Sequence, residues 1–157
     1  MVTLEPPASN VDEFDRDLRL QVYRFFLESG RPPYAAESAA ALSVTPAEVE
    51  AGLRRLHDAH VIVLAPGMSY IWLANPLSAL PTAFVATVDG HERYAPCVWD
   101  SLGIVAMLGG NGEVSTLCPD CGKGLRLEVS DGSLRPVDYV VHYVVPARRW
   151  WDDIGFT

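Results

Sequence analysis

The sequence predicts an α+β fold in two parts: a winged helix-turn-helix-like region over residues 1–75, then a mixed β-sheet region with one main helix over residues 76–157. Three observations predict it. Apolar residues recur at helical spacing through the first 60 residues. A strand, turn, strand pattern closes that half. Beyond residue 80 short strand-like runs dominate, interrupted by a single helix-like stretch with glycines at its end.

Taken in order, Phe14, Leu18, Val22 and Phe25 fall on one helical face, which predicts a helix over 12–28. "SGRPP" ends it, because glycine and two prolines cannot continue the pattern. Residues 35–42 form a short alanine-rich helix. "TPAE" then starts another: Thr45 as N-cap, Pro46 at the first helical position, and Glu48 closing a capping box. That helix carries Val49, Leu53 and Leu56 on one face and runs to about Ala59. "VIVL", "APGMS" and "YIWLA" read as strand, turn and strand. Three helices and a two-stranded wing give the helix-turn-helix reading.

"NPLSALP" reads as a linker. "TAFVATV" and "ERYA" are strands joined by "DGH", an Asp-Gly turn signal. A helix opened by Pro96 and Cys97 and closed by Gly109 and Gly110 follows. "EVSTLC" and "GLRLEVS" are strands flanking "CPDCGK". The continuous apolar run "VDYVVHYVVP" predicts a central strand buried on both faces. "RRWWDD" predicts a segment that docks Trp150 and Trp151 onto the core, with a charged aromatic rim over a pocket as the other reading.

Composition limits the function classes. Apolar residues make up 49% and charged residues 20%, as in a globular chain rather than a disordered one. The net charge is −8, and residues 1–75 and 76–157 each carry six Arg/Lys against ten Asp/Glu. Neither half is built to neutralise phosphates, so nucleic acid is not an expected partner. Apolar runs are too short to span a bilayer, and the N-terminus lacks the basic start and apolar stretch of a secretory signal. The expected location is the cytoplasm, with no membrane partner. Three cysteines in a reducing compartment point away from disulfides and towards metal binding or catalysis.

The residues with chemical potential are few. Cys97 sits at a helix start, where unpaired N–H groups and the helix dipole stabilise a thiolate. Asp100, three positions on, shares its helix face. A thiol beside a carboxyl group can attack a soft electrophile and supply a proton. The bland alternative is an inert buried cysteine and an aspartate matched to the helix dipole. Cys118 and Cys121 form a Cys-x-x-Cys turn between strands, half of a zinc ribbon. A structural turn, a soft-metal site and a redox pair all remain open for it. Zinc is not expected to be held, because no second Cys-x-x-Cys exists and His57, His60, His91 and His142 lack paired ligand spacing.

The order of "RYAPC", "CVWDSLGIVAML", "GEVSTLCPDCGKGLRLEVSDG" and "VVHYVVP" resembles the alkylmercury lyases, over about residues 35–157 and most closely over 92–146. The resemblance implies an alkylmercury-lyase-like catalytic core in residues 76–157 that cleaves a carbon–mercury bond by protonolysis. It implies that Cys97 is the first mercury-binding thiolate, that Asp100 shuttles the proton, and that Cys118 matches a cysteine taken as structural in the family. Mercury would enter as substrate and leave as product, with no resident cofactor. The implied partners are a small organometallic substrate and thiol carriers or a protein that accepts mercuric ion. The family's second catalytic cysteine follows the segment that here reads "WWDDIGFT", and no cysteine of this sequence matches it. A sequence shorter than the whole protein, Cys121 as a substitute, and a role other than lyase are the open readings.

Two other function classes compete. A winged-helix metal-responsive transcription regulator would read DNA with residues 46–59 and sense metal at "CPDC"; but Arg54 and Arg55 there face Glu48, Glu50 and Asp58. A non-catalytic protein that sequesters or passes on soft metal would need only the thiols.

Overall fold

The computed structural model describes residues 13–154, so the start of the first expected helix at residue 12 and the N-terminal segment before it lie outside the described residues. The N-terminal half contains α1 (Glu13–Ser29), α2 (Ala35–Leu42) and α3 (Pro46–Asp58). Leu18, Val22 and Phe26 form the buried stripe of α1. Phe26 takes the core position expected for Phe25, whose ring instead lies under the Arg31 guanidinium at 5.0 Å. The start of α3 is built as the sequence predicts. The Glu48 N–H donates to Thr45 Oγ1 at 3.3 Å, and the Thr45 N–H donates to Glu48 Oε2 at 2.8 Å.

Helices α1 and α3 pack closely because Gly52 has no side chain: a Cβ there would stand 2.7 Å from Leu18 Cδ2 and 2.9 Å from Phe14 Cε1. The buried carboxylate of Asp15 is matched across the same contact by a bidentate pair with Arg55, at 2.8 and 2.6 Å. A buried charge needs such pairing to be tolerated.

Strands β1 (Val63–Leu64), β2 (Ile71–Ala74) and β3 (Leu77–Ser78) form a three-stranded antiparallel sheet. The third strand occupies the expected linker. Asn and Pro punctuate "NPLSALP" as a loop, yet its Leu77 side chain is fully buried and its backbone pairs with β2. Burial of one leucine outweighs the local turn signals.

The second half is a five-stranded antiparallel sheet in the order β5-β4-β6-β7-β8, with α4 (Val98–Met107) packed on it. Its strands are β4 (Phe84–Val88), β5 (His91–Ala95), β6 (Gly112–Leu117), β7 (Gly124–Ser130) and β8 (Ser133–Leu134). Asp89 and Gly90 both have positive φ, 51° and 76°, between the paired residues Val88 and His91. That is the two-residue hairpin turn the Asp-Gly signal predicts. Ile104 and Val105 of α4 share a buried core with Ala86, Val88, Val114 and Leu127. The same apolar cluster continues into α1, α3 and the three-stranded sheet. A polar tie also crosses between the halves: Arg93 Nη2 donates to the Leu27 carbonyl at 3.2 Å.

The run "VDYVVHYVVP" is not a central strand. Residues 137–146 belong to no ladder, and Val140 and Val144 are 93% and 79% exposed. A continuous apolar run implies a strand only where both faces are covered. Here it leaves the sheet after β8 as irregular extended chain and walls a cavity instead. A 3₁₀ turn, Ala147–Asp152, follows it. Among the described residues no helix is long and apolar enough to cross a membrane.

Candidate active site

Strand β5 ends at the fully buried Ala95, and Pro96 turns the chain into α4. Cys97 is the N-cap, in extended conformation at φ −147°. Its sulfur takes the place a serine oxygen usually holds, accepting the Asp100 N–H at 3.4 Å. In return the thiol donates to Asp100 Oδ2 at 2.9 Å. The three-residue spacing thus closes a small ring of two hydrogen bonds between thiol and carboxylate.

Burial, more than that ring, sets the protonation state. Burial pushes the Cys97 thiol up to about 11, and its bond to Asp100 and the nearby carboxylate charge push the same way. Backbone N–H groups of Asp100 and Trp99 pull it down, with less effect. The thiolate expected from the helix start is therefore not the resting form: loss of hydration outweighs the helix terminus. Burial also raises the Asp100 carboxyl above its ordinary value, partly offset by the thiol it accepts from. At neutral pH the pair is a thiol holding its proton against a carboxylate.

Cys97 opens into a cavity of about 820 Å³. Sheet residues such as Leu127 form one wall, and the extended segment with Val140 and Tyr143 forms another. Tyr143 is a functional candidate that the sequence reading missed. Burial, then the charges of Cys97 and Asp100, raise its hydroxyl above the ordinary value, and it lines the same cavity as Cys97. Its only sequence signal is a phenol within a run of valines. Trp150 braces it, with ring centroids 5.4 Å apart, and is itself held by an Nε1–H bond to the Val145 carbonyl at 2.8 Å. Trp151 stacks on His60 of the N-terminal half, 4.1 Å away and 7° from parallel. "RRWWDD" therefore lines the cavity through Trp150, while Trp151 rests on the exposed His60 rather than in the core, and no residue of the 3₁₀ turn is buried.

The "CPDC" turn joins β6 to β7 on the same cavity wall. Gly122, at φ 70°, donates to the Cys118 carbonyl at 2.8 Å, and Cys118 N–H donates to the Lys123 carbonyl at 2.8 Å. The Cys118 sulfur accepts hydrogen bonds from the backbone of Cys121 and Asp120 and from the Cys121 thiol, which lower its pKa. Cys118 lines the cavity with Cys97, and Cys121 is exposed. The histidines stay apart from both cysteine sites, except His142, which lines the cavity. His57 Nδ1 is occupied by the backbone of Ile62 and Leu64 at 3.2 and 3.4 Å. Among the described residues no group of three or more His, Cys, Asp or Glu could hold a metal ion.

With a half-buried thiol–carboxylate pair whose thiol lines an apolar cavity, comparison with known proteins becomes informative. The family described as "MerB: Alkylmercury lyase" matches residues 77–157, which include Cys97, Asp100, Cys118, Cys121 and Tyr143. The chain belongs to the alkylmercury lyase family. An alkylmercury lyase of Bacillus cereus and one of Clostridium butyricum are each 34% identical to it over 73 residues. Those matches cover 45% of this chain and 34% of each lyase, so the chain aligns with about a third of their length. Among solved structures, the mercury-bound form of MerB2 superposes with a TM-score of 0.59 at 18% identity, over 80% of this chain and 66% of that one. The mixed α+β architecture is therefore a fold this family shares.

Proposed function

We propose that the protein is an organomercurial lyase-like enzyme that cleaves a carbon–mercury bond by protonolysis, with Cys97 and Asp100 as the reacting pair. The observation that carries this reading is the Cys97 thiol donating to Asp100 at 2.9 Å beside an apolar cavity. An organomercurial cation, R–Hg⁺, binds the Cys97 sulfur, because mercury is soft and thiolate is its preferred ligand. Coordination drives off the thiol proton, which passes along the existing hydrogen bond to Asp100. The carboxylic acid then protonates the carbon bonded to mercury. R–H leaves, Asp100 is a carboxylate again, and Hg²⁺ remains on the Cys97 sulfur. The raised pKa of Asp100 suits it to accept a proton and then give it up. The apolar walls accommodate the organic group R.

In this reading the N-terminal half is a winged-helix-like support rather than a DNA reader. Arg55 of α3 is paired with Asp15, and Arg54 lies 3.6 Å from Glu50, which leaves little surplus positive charge on that face. The test separates the two roles at the pair. Cys97→Ser should lose mercury capture at this position and all release of hydrocarbon. Asp100→Asn should keep capture and lose release, since the amide keeps the shape without the transferable proton. Hydrocarbon is measured by gas chromatography beside a mercury-binding assay. Release from Asp100→Asn at the parent rate would reduce Asp100 to a helix-start residue and end the proposal.

A further inference from the structure

We infer that the Cys118–Cys121 turn is a second, two-thiol site for Hg²⁺, placed to take the ion from Cys97 and present it at the surface. Four observations lead there. Cys118 and Cys97 line one cavity, so an ion released at Cys97 enters a space that Cys118 borders. Cys118 and Cys121 stand three residues apart in one turn closed by the Gly122 N–H to Cys118 carbonyl bond, so one cation can bridge the two sulfurs after a side-chain adjustment. The turn that holds them is fixed by its own backbone, through the Gly122 to Cys118 and Cys118 to Lys123 bonds, and needs no metal to form. Cys121 is exposed, so the pair leads from the cavity to solvent.

The chemistry of the ligand set selects the ion. Zinc requires four ligands in its structural sites, and among the described residues no third His, Cys, Asp or Glu joins the pair. A soft cation that is satisfied by two thiolates fits, and Hg²⁺ is the one the proposed reaction delivers. The transfer balances. Cys97–S–Hg⁺ and the Cys118 and Cys121 thiols become Cys118–S–Hg–S–Cys121 and a Cys97 thiol, and the Cys118 proton goes to solvent. Two sulfur–mercury bonds form, one breaks, and the Cys121 proton ends on Cys97. The site is thereby returned to its protonated resting form. This hand-over rests on the lyase reading; the binding of Hg²⁺ by the turn does not.

The experiment uses the full chain and mercuric chloride in the presence of excess monothiol. Cys97→Ser should still retain one Hg²⁺ per chain, seen by native mass spectrometry and by sulfur-to-mercury charge-transfer absorbance. Adding Cys121→Ser should weaken retention by about 10²–10⁴-fold, the loss expected when a second tethered ligand is removed. Cys121 is exposed, so this change leaves the core intact. After one turnover of the parent with an arylmercury salt, Cys118 and Cys121 should be protected from alkylation. Complete loss of Hg²⁺ from Cys97→Ser to the monothiol, or indifference to Cys121→Ser, overturns the site. Unprotected Cys118 and Cys121 after turnover overturn the hand-over. Hydrocarbon release by the parent is scored separately. If Cys97→Ser holds mercury while the parent releases no hydrocarbon, the second site stands and the lyase reading falls.

Discussion

Raising the pH should turn Cys97 from the slowest of the three cysteines into a fast one. Its thiol is pushed from 9.0 to about 11. At pH 7 that leaves about one thiol in ten thousand ionised, against about one in a hundred at an ordinary position, because each pH unit is a factor of ten. A more basic thiolate is also more nucleophilic, with a slope of roughly 0.4–0.5. This recovers about tenfold of the hundredfold loss. Cys97 should therefore alkylate about tenfold more slowly than an unperturbed thiol at pH 7, before any shielding by its half-buried position. Cys118 is shifted the other way by its hydrogen bonds and should react ahead of it. Timed iodoacetamide labelling, digestion and mass spectrometry give all three rates across the pH range. The logarithm of the Cys97 rate should climb with unit slope until the pH nears 11. Asp100→Asn removes the neighbouring charge, so it should speed Cys97 at pH 7. A Cys97 rate that exceeds the others at pH 7, or levels off below pH 9, would refute the reasoning: the helix terminus would then outweigh burial.

Two further outcomes follow from the same structure. The folded thiol of Cys97 holds its proton more tightly than the ordinary 9.0, so its contribution to stability is complete below pH 9 and is lost as the pH rises through about 11; chemical denaturation should show this loss in the parent and a smaller one in Cys97→Ser. Gly52→Ala should destabilise the fold: overpacking against the fully buried Leu18 costs about 1–3 kcal/mol, better helix propensity returns about 1 kcal/mol, and the net loss of about 1 kcal/mol lowers Tm by about 2–4 °C. A rise in Tm instead would mean that Phe14 and Leu18 swing aside.

What could be read from the sequence was local. The Thr45–Glu48 capping box, the Asp89–Gly90 turn and the Cys97 start of α4 each involve residues within four positions, and each forms as predicted. What failed depended on covering partners far along the chain. Leu77 sits among turn residues but has a pocket in the core waiting for it. The valines of 137–145 look like a core strand but have a cavity rather than a second layer beside them. The candidate site divides in the same way. The Cys97–Asp100 spacing announces a contact, and the contact exists at 2.9 Å. The direction of the thiol's pKa is set by burial, which spacing does not encode. Tyr143 near the pair and Cys118 on the shared cavity wall are likewise products of tertiary folding.

A raised thiol pKa looks at first like a defect in a nucleophilic site, where an ionised cysteine is the usual requirement. For protonolysis the requirement is different. The reaction consumes one proton at carbon for each bond cleaved, and that proton must be present when the substrate arrives. A resting thiolate would capture mercury quickly and leave the carbon without a donor close by. A thiol that holds its proton until metal displaces it delivers one proton per metal captured, to the carboxylate already bonded to it at 2.9 Å. The energetic cost is moved to the metal, whose affinity for sulfur is large enough to deprotonate a coordinating thiol outright. Under the proposed mechanism, burial of Cys97 and Asp100 would serve both halves of the step. It favours the proton on sulfur before binding and, by raising the Asp100 carboxyl, would favour the proton on oxygen before transfer to carbon.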